Sequence, residues 1–335
     1  MQYLFEISKE HKTLPAAEIK SSLSAENIDY NPLDSNEEIF IIETNSKEDK
    51  IKKVANRLSF TFHVNKFIFS CKPDTKEIKK QSLKNLPKKQ GSIAIKYRNR
   101  STEIKSQPIV KTLARVFTKN RNVSLEKPDI EIRGIITDSY LYVGLKIAEV
   151  NRRQFEKRKV QNRPFFSPIS MHPKLARALV NLSNVKKDET LLDPFCGTGG
   201  LLIEAGLIGA KIIGSDIENK MIEGCKKNLD FYNIKDYKLF HSDIGEIKKY
   251  TVMVDAVVTD LPYGKSTTTK GEDIKQLYER TFENISYLLK KNCRAVIGLP
   301  YKDMIPIGER YLSLLETHEC RVHRSLTRYF AVYKR

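Results

Sequence analysis

From Lys187 to the C-terminus the sequence alternates short apolar runs with longer amphipathic ones. No other feature constrains the fold as much. Strands are predicted over TLLDP (190–194), KIIGSD (211–216), YKLFHSD (237–243), VDAVVTD (254–260) and CRAVIGLP (293–300). Between them GGLLIEAGLIG, ENKMIEGCKKNLDFYN and DIKQLYERTFENISYLLK have helical spacing. Apolar strands separated by helices build a mainly parallel sheet covered on both faces. The last segments, CRVHRSL and TRYFAVYKR, leave no room for a helix and are expected to end the sheet as an antiparallel hairpin. Upstream, SMHPKLARALVNLS reads as a helix with Pro in its first turn, a favoured place for it.

The first strand of this region runs into Asp193-Pro194-Phe195-Cys196-Gly197-Thr198-Gly199-Gly200. Gly197 and Gly199 allow a backbone with positive φ and a close approach to a ligand. The segment is not a P-loop, because no Gly-Lys-Ser/Thr follows, and it lacks the G-x-G-x-x-G spacing of a dinucleotide fold. Asp193 would repel a pyrophosphate and suits a ligand with a cationic or N–H-bearing end. Asp216 ends the second strand, where an acid can accept hydrogen bonds from ribose hydroxyls. Asp243 ends the third and can accept from an adenine amino group. Each acid alone could be a helix N-cap, but that does not explain all three at the carboxyl edge of one sheet beside a Gly-rich turn.

Thr259-Asp260-Leu261-Pro262-Tyr263-Gly264 follows the fourth strand. Alone it is a turn made of turn residues. At a strand tip it resembles the D/N-P-P-Y/F motif of methyltransferases acting on planar exocyclic amines. The lone pair of such an amine is delocalised into its ring. Asp260 and the C=O of Leu261 can accept hydrogen bonds from the NH₂ and aim that lone pair at a methyl group. Pro262 would stiffen the turn and Tyr263 would stack on the base. Leu261 stands where many relatives have Pro, but its carbonyl is retained. No Pro-Cys dipeptide is present, which argues against cytosine-C5 chemistry, and Cys196 reads as a small packed residue.

Charge divides the chain. Residues 1–50 carry 5 Lys/Arg against 11 Asp/Glu, residues 51–163 carry 28 against 9, and residues 164–335 carry 26 against 21. The overall +18 therefore resides in the middle. Such a block suits a polyanion, and no basic amphipathic helix with bulky aromatics favours a membrane surface over nucleic acid. Arg152, Arg153, Arg158 and Arg163 lie in a Pro-containing aperiodic stretch, 151–170, that reads as a linker crossing the surface with phosphate-contacting side chains.

Residues 1–60 read as strand MQYLFEI, helix LPAAEIKSSL, strand IFIIET and helix SKEDKIKKVANRLSF. The Lys-rich 71–90 reads as a solvated helix or loop. Strands SIAIKYR, IEIRGIIT and YLYVGLKIAEV follow, with helix IVKTLARVFTKN between the first two. No apolar run reaches 18 residues, so no transmembrane helix is expected, and MQYLFEISKEHK has no apolar core of a secretory signal. Cys71, Cys196, Cys225, Cys293 and Cys320 are odd in number, with no C-x-x-C pair, which fits reduced thiols in a cytoplasm. His318 and His323 have no third ligand nearby, so no metal is expected.

Together DPFCGTGG, TDLPYG and RPFFSPISMHPKLARALVNLS resemble the archaeal tRNA guanine-N2-methyltransferases, in particular the enzymes modifying guanine 10. The basic region, with SIAIKYR and VSLEKPDIEIRGIIT, resembles a THUMP domain, a tRNA-binding module. The resemblance implies an α/β fold. A Rossmann-like class I methyltransferase domain with a mixed seven-stranded sheet (171–335) would follow a linker (151–170), a THUMP domain (61–150) and a ferredoxin-like subdomain (1–60). It implies S-adenosylmethionine, with Asp193, Gly197 and Gly199 at the methionine end, Asp216 on the ribose and Asp243 on the adenine side. Phe165, Phe166 and Ser170–His172 match the segment that closes over the cofactor. Asp260, Leu261, Pro262 and Tyr263 would act on a guanine flipped out of its stack, and the partner would be tRNA. A small activating subunit, as in eukaryotic relatives, is left open; without one a monomer is expected. Guanine 6 of tRNA, a ribosomal guanine, an adenine N6 and a catalytically inert RNA-binding protein are the competing readings. A nicotinamide dehydrogenase is disfavoured by Asp193.

Overall fold

The structure, a computed structural model, describes residues 1–167, 170–263, 272–323 and 326–335. Gly264, at the end of the D-x-P-Y-G turn, and Pro168 and Ile169, inside RPFFSPIS, lie outside the described residues, as do Arg324 and Ser325. The chain forms two compact units: residues 1–12, 28–56 and 61–151, and residues 13–27, 57–60 and 152–335.

The first unit is built on one seven-stranded sheet. Its strands are β1 (Gln2–Ile7), β2 (Asn31–Ser35), β3 (Ile39–Glu43), β4 (Thr61–Cys71), β5 (Ile93–Asn99), β6 (Ile130–Ile136) and β7 (Leu141–Glu149). Their spatial order is β2-β3-β1-β4-β7-β6-β5, antiparallel except for β5 beside β6. Helix α1 (Leu14–Ala25) falls in the second unit, whereas most of α2 (Glu48–Arg57) stays in the first. Helices α3 (Thr75–Lys84) and α4 (Ser106–Phe117) pack against each other. Ile109, Leu113, Val116 and Phe117 line the buried stripe of α4 at helical spacing, over a core that includes Ile93, Ile130 and Val143. Helix α3 buries only Ile78 and Ser82, so the Lys-rich stretch is the solvated helix that its composition predicts.

Two strands have no counterpart in the sequence reading. β2 is exposed at every position, so it carries no apolar pattern. β4 is eleven residues long, but His63, Asn65 and Lys66 interrupt its hydrophobicity. β4 pairs with β1 on one side and β7 on the other. It therefore joins the strands of residues 1–60 and 61–150 in a single sheet with no break at residue 60.

The second unit contains α1, α5 (Arg153–Lys157), α6 (Pro173–Leu182), α7 (Gly200–Gly206), α8 (Asn219–Phe231), α9 (Ile274–Leu288) and α10 (Ile305–Glu309). Its strands are β8 (Thr190–Asp193), β9 (Lys211–Asp216), β10 (Tyr237–His241), β11 (Val254–Asp260), β12 (Leu289–Leu299), β13 (Ser313–His323) and β14 (Leu326–Lys334). Their order is β10-β9-β8-β11-β12-β14-β13. β14 is antiparallel to both neighbours and the other pairings are parallel, giving the mixed sheet and terminal hairpin expected. One apolar core includes Leu179, Leu191, Leu202 and Val258. The other includes Leu192, Val257, Phe282 and Ile297. Successive residues of β8 and β11 thus feed opposite faces of the sheet, as strand geometry requires. Helix α1 is held by Glu18, which is fully buried and accepts from Ser59 N (2.8 Å), Ser59 Oγ (2.7 Å), Phe60 N (2.9 Å) and Asn181 Nδ2 (2.9 Å).

The segment read as a surface linker belongs to this unit and runs along its surface, but it sends Phe155, Arg158 and Arg163 into the interior. Its first turn is α5, which buries Phe155 completely. Arg158 makes a two-pronged ion pair with the buried Glu204 of α7, Nε to Oε1 at 2.8 Å and Nη2 to Oε2 at 3.0 Å. Arg177 of α6 reaches Glu204 Oε2 at 2.8 Å. Arg163 is 4% exposed and donates from Nε to the Arg158 carbonyl. Arg158 and Arg163 are thus not the phosphate contacts expected of them: Arg158 compensates the carboxylate buried on α7, and Arg163 is covered while bonding the Arg158 carbonyl. Arg153 is exposed and Arg152 half-buried.

Candidate active site

The carboxyl ends of β8, β9 and β11 deliver Asp193, Asp216 and Asp260 to one cleft of about 260 Å³, and Asp243, two residues past β10, joins them. Ligands of open α/β sheets bind at this edge. Apolar walls come from Met171, Ile217, Met221, Ile244 and Leu277.

Asp193 is buried and accepts from Thr259 Oγ1 (2.7 Å) and Phe195 N (3.2 Å). Burial pushes its carboxyl up to about 7 despite these donors, and the neighbouring Asp216 and Asp260 add to the rise. The turn that follows needs its glycines. Gly197 and Gly199 have φ of 48° and 79°, and a Cβ on Gly199 would lie 2.6 Å from Cys225 Sγ. Cys196 is packed against Cys225, whose thiol, together with burial, holds Cys196 well above the usual thiol range. Asp216 accepts from Gly197 N and Glu218 N, both at 2.9 Å, while burial raises its carboxyl. The tip of β9 is thereby tied to the glycine turn of β8.

Asp243 is bridged to Arg280 of α9, which engages both its oxygens and also Glu272, and it accepts from Gly245 N at 2.8 Å. Burial would raise this carboxyl, but Arg280 outweighs it and the group sits below its ordinary value.

At the tip of β11, Asp260 Oδ1 accepts from the Tyr263 hydroxyl at 2.6 Å, and Arg328 Nη1 lies 3.1 Å from Oδ2. Burial raises Asp260, with Arg328 and Tyr263 pulling it back. Burial and the Asp260 charge push the Tyr263 hydroxyl far above its usual range, so it remains a donor. Leu261 N donates to Gly298 O (3.0 Å), and Tyr278 of α9 donates to the Pro262 carbonyl (2.7 Å). The turn is therefore fixed at both ends. Where Pro is replaced by Leu261, these bonds and near-complete burial of the side chain supply the rigidity.

The upstream segment approaches the same turn. Phe165 packs on Gly224 of α8, and Asn228 bonds Phe165 N, Phe165 O and Thr198 O. Ser170 Oγ lies 2.9 Å from Thr198 Oγ1, whereas Phe166 is exposed. His172 caps α6, its Nδ1 accepting from Lys174 N.

Sequence reasoning missed Thr259, Asn228, Arg280 and Arg328. Thr259 stands inside TDLPYG and could have been found by asking what satisfies a buried Asp193. The other three sit in helices or in the hairpin, with no local signal. His318 is buried and hydrogen-bonded to Thr13 Oγ1 at 2.8 Å. Among the described residues no group of three or more His, Cys, Asp or Glu is placed to hold a metal, and no helix is long and apolar enough to cross a membrane.

A sheet of this order, with acids at adjoining strand tips around a glycine turn, defines a class I, S-adenosylmethionine-dependent methyltransferase. The RMKL-like methyltransferase domain family matches residues 161–329, and a DNA methylase family matches residues 7–227. The crystal structure of TrmN from Thermus thermophilus shares the fold over 100% of both chains, with a TM-score of 0.58 at 16% identity. The tRNA (guanine(10)-N2)-dimethyltransferase of Methanothermobacter thermautotrophicus is 33% identical over 338 residues, covering 100% of both chains. That of Methanocaldococcus jannaschii is 40% identical over 223 residues, covering 64% of this chain and 61% of its own. The chain belongs to the tRNA (guanine(10)-N2)-dimethyltransferase family.

Proposed function

We propose that this protein transfers methyl groups from S-adenosylmethionine to the exocyclic N2 of guanine 10 in tRNA, giving N2-methylguanosine and then N2,N2-dimethylguanosine. The observation that carries the reading is Asp260, a carboxylate at a strand tip beside Tyr263, opening on the same cleft as Asp193 and Asp216. The donor set fits the cofactor: acids for an ammonium and for ribose hydroxyls, a glycine turn for close backbone approach, and apolar walls. When bound, S-adenosylmethionine supplies an electrophilic methyl group. Asp193, with the Gly197 and Gly199 backbone, would hold the methionine end, Asp216 the ribose and Asp243, fixed by Arg280, the adenine side.

Asp260 and the Leu261 carbonyl would accept hydrogen bonds from the guanine NH₂ and direct the nitrogen lone pair. Tyr263 would stack on the flipped base. Positioning of this kind accounts for most of the rate that such a site can supply. The carboxyl of Asp260, raised by burial, is a suitable acceptor for the proton that the nitrogen loses.

The tRNA would be gripped by the first unit, proposed to combine a ferredoxin-like part with a THUMP module. Lys76, Lys79, Lys80 and Lys84 on α3, with Lys111, Arg115 and Lys119 on or just after α4, are exposed and suit phosphate contacts that do not read sequence. A cytoplasmic enzyme acting as a monomer fits these features. Incubating the purified chain with unmodified tRNA and labelled S-adenosylmethionine, followed by nucleoside mapping, tests the proposal. Label on N2 of guanine 10 is expected, and turnover without added protein shows that no activating subunit is required. Label on an adenine, on another guanine, or nowhere would overturn the reading.

A further inference from the structure

Arg328 lies on β14, outside every motif in the sequence. Its side chain is 5% exposed. Nη1 stands 3.1 Å from Asp260 Oδ2, and the guanidinium carbon is 5.1 Å from the centroid of the Tyr263 ring. β12 lies between β14 and β11, so the cation must cross a whole strand to reach Asp260. It can cross because the β12 residue paired with Asp260 is Gly298, which also pairs with Phe330 on β14. A Cβ on Gly298 would overlap Asp260 Oδ1 and crowd Phe330. Arg328 is two residues from Phe330 and shares its face of the sheet.

We infer that Arg328 is a positioning residue for Asp260, fixing the plane of the carboxylate and keeping it charged as an acceptor for the amine. The inference rests on the proposed role of Asp260 in the transfer. Tyr263 engages Oδ1 and Arg328 engages Oδ2, which leaves one lone pair on each oxygen for the incoming N–H. A carboxyl taken out of water favours protonation, and a protonated oxygen would meet the amine with a hydrogen instead of a lone pair. Among the described residues, Arg328 and Tyr263 act on Asp260, and the Asp260 charge in turn raises Asp193 of β8 and the Tyr278 hydroxyl of α9. Tyr263 and Tyr278 stay neutral and Asp193 carries no positive charge, so Arg328 is the cation beside Asp260 that opposes protonation.

The test is single-turnover methylation of unmodified tRNA as a function of pH, with Arg328→Met, Arg328→Gln and Arg328→Lys beside wild type and Asp260→Ala. Cofactor titration and thermal unfolding are run on each variant. Removing a charge at this distance should move the acidic limb of the rate profile up by about one to three pH units. The loss in the Met and Gln variants should therefore be deepest at low pH and shrink as pH rises. Lys should recover most of the low-pH rate, and cofactor affinity should stay near wild type. An equal loss at every pH with an unmoved limb, or no loss at all, would overturn the inference. If the Met variant fails to fold, Gln against Lys reads the same limb. If Asp260→Ala keeps its rate, the proposed acceptor itself is wrong. If Asp260→Ala is inactive while the limb stays in place, only the role of Arg328 fails.

Discussion

Thr259 donates its hydroxyl to Asp193 Oδ1 at 2.7 Å, across the adjacent strands β11 and β8. The glycine turn that would hold the cofactor and the turn that would hold the base are thus joined by one buried hydrogen bond. Thr259→Val keeps the shape and removes the donor. The loss should destabilise the fold by about 1–3 kcal/mol and raise the Asp193 carboxyl further. Denaturant unfolding and cofactor titration of the same variant check both effects.

Asp193 itself predicts a pH dependence. Its carboxyl stands at about 7 in the fold, above its value in an unfolded chain, so the native state binds more protons between those two values. Stability of the free protein should therefore fall as pH rises through that window. A ligand ammonium prefers the ionised form, so cofactor affinity should rise across the same interval. Isothermal titration at several pH values reads this second slope. A flat profile, or the opposite sign, would show that Asp193 does not face the ammonium.

Glu204 is a structural carboxylate by its partners. It is fully buried between Arg158 and Arg177. Glu204→Ala leaves two guanidiniums in the interior without their counter-charge, and a loss of about 3–5 kcal/mol is expected. Its signature is lowered unfolding stability with no change in the salt dependence of tRNA binding by whatever fraction stays folded.

The exposed lysines of α3 should behave in the opposite way. Replacing Lys79 and Lys80 by Gln should leave the melting temperature near wild type and weaken tRNA binding. If each makes one phosphate contact, the slope of log affinity against log salt should flatten by about 0.7–0.9 per contact. Binding curves at several salt concentrations separate this from a general loss of fold.

The contrast between these residue sets shows what could be read from the sequence. The β-α alternation after Lys187, the tip acids and the two turns were legible because each is local: a period, a strand end, a glycine or proline at a fixed offset. Arg158, Arg280 and Arg328 were not, because their meaning depends on a carboxylate brought to them by tertiary packing, and Arg163 was not, because its burial is set by the same packing. A basic stretch without periodicity reads as a solvated linker until Glu204 is seen beneath it. β4 was missed for a related reason. His63 and Asn65 are buried polar residues of a strand interior, and local hydrophobicity cannot anticipate partners supplied by distant strands.

Gly298 gives the sharpest test of the geometry at the transfer site. Its backbone carbonyl anchors Leu261, and its missing side chain makes room for the Asp260 carboxylate. Gly298→Ala places a methyl group where Asp260 Oδ1 now lies, so the carboxylate must rotate or β12 must shift. Overpacking of this size costs about 1–3 kcal/mol, which the fold should survive. Asp193 on β8 and Asp216 on β9, the acids proposed for the cofactor, are two or more strands away and should bind as before. A displacement of about 1 Å at a reacting centre can cost on the order of 10²-fold in rate. Single-turnover methylation should therefore fall by about that factor while cofactor affinity stays within about twofold. Equal losses in rate and in cofactor binding would mean that the whole sheet edge had moved and that Gly298 does not act through Asp260.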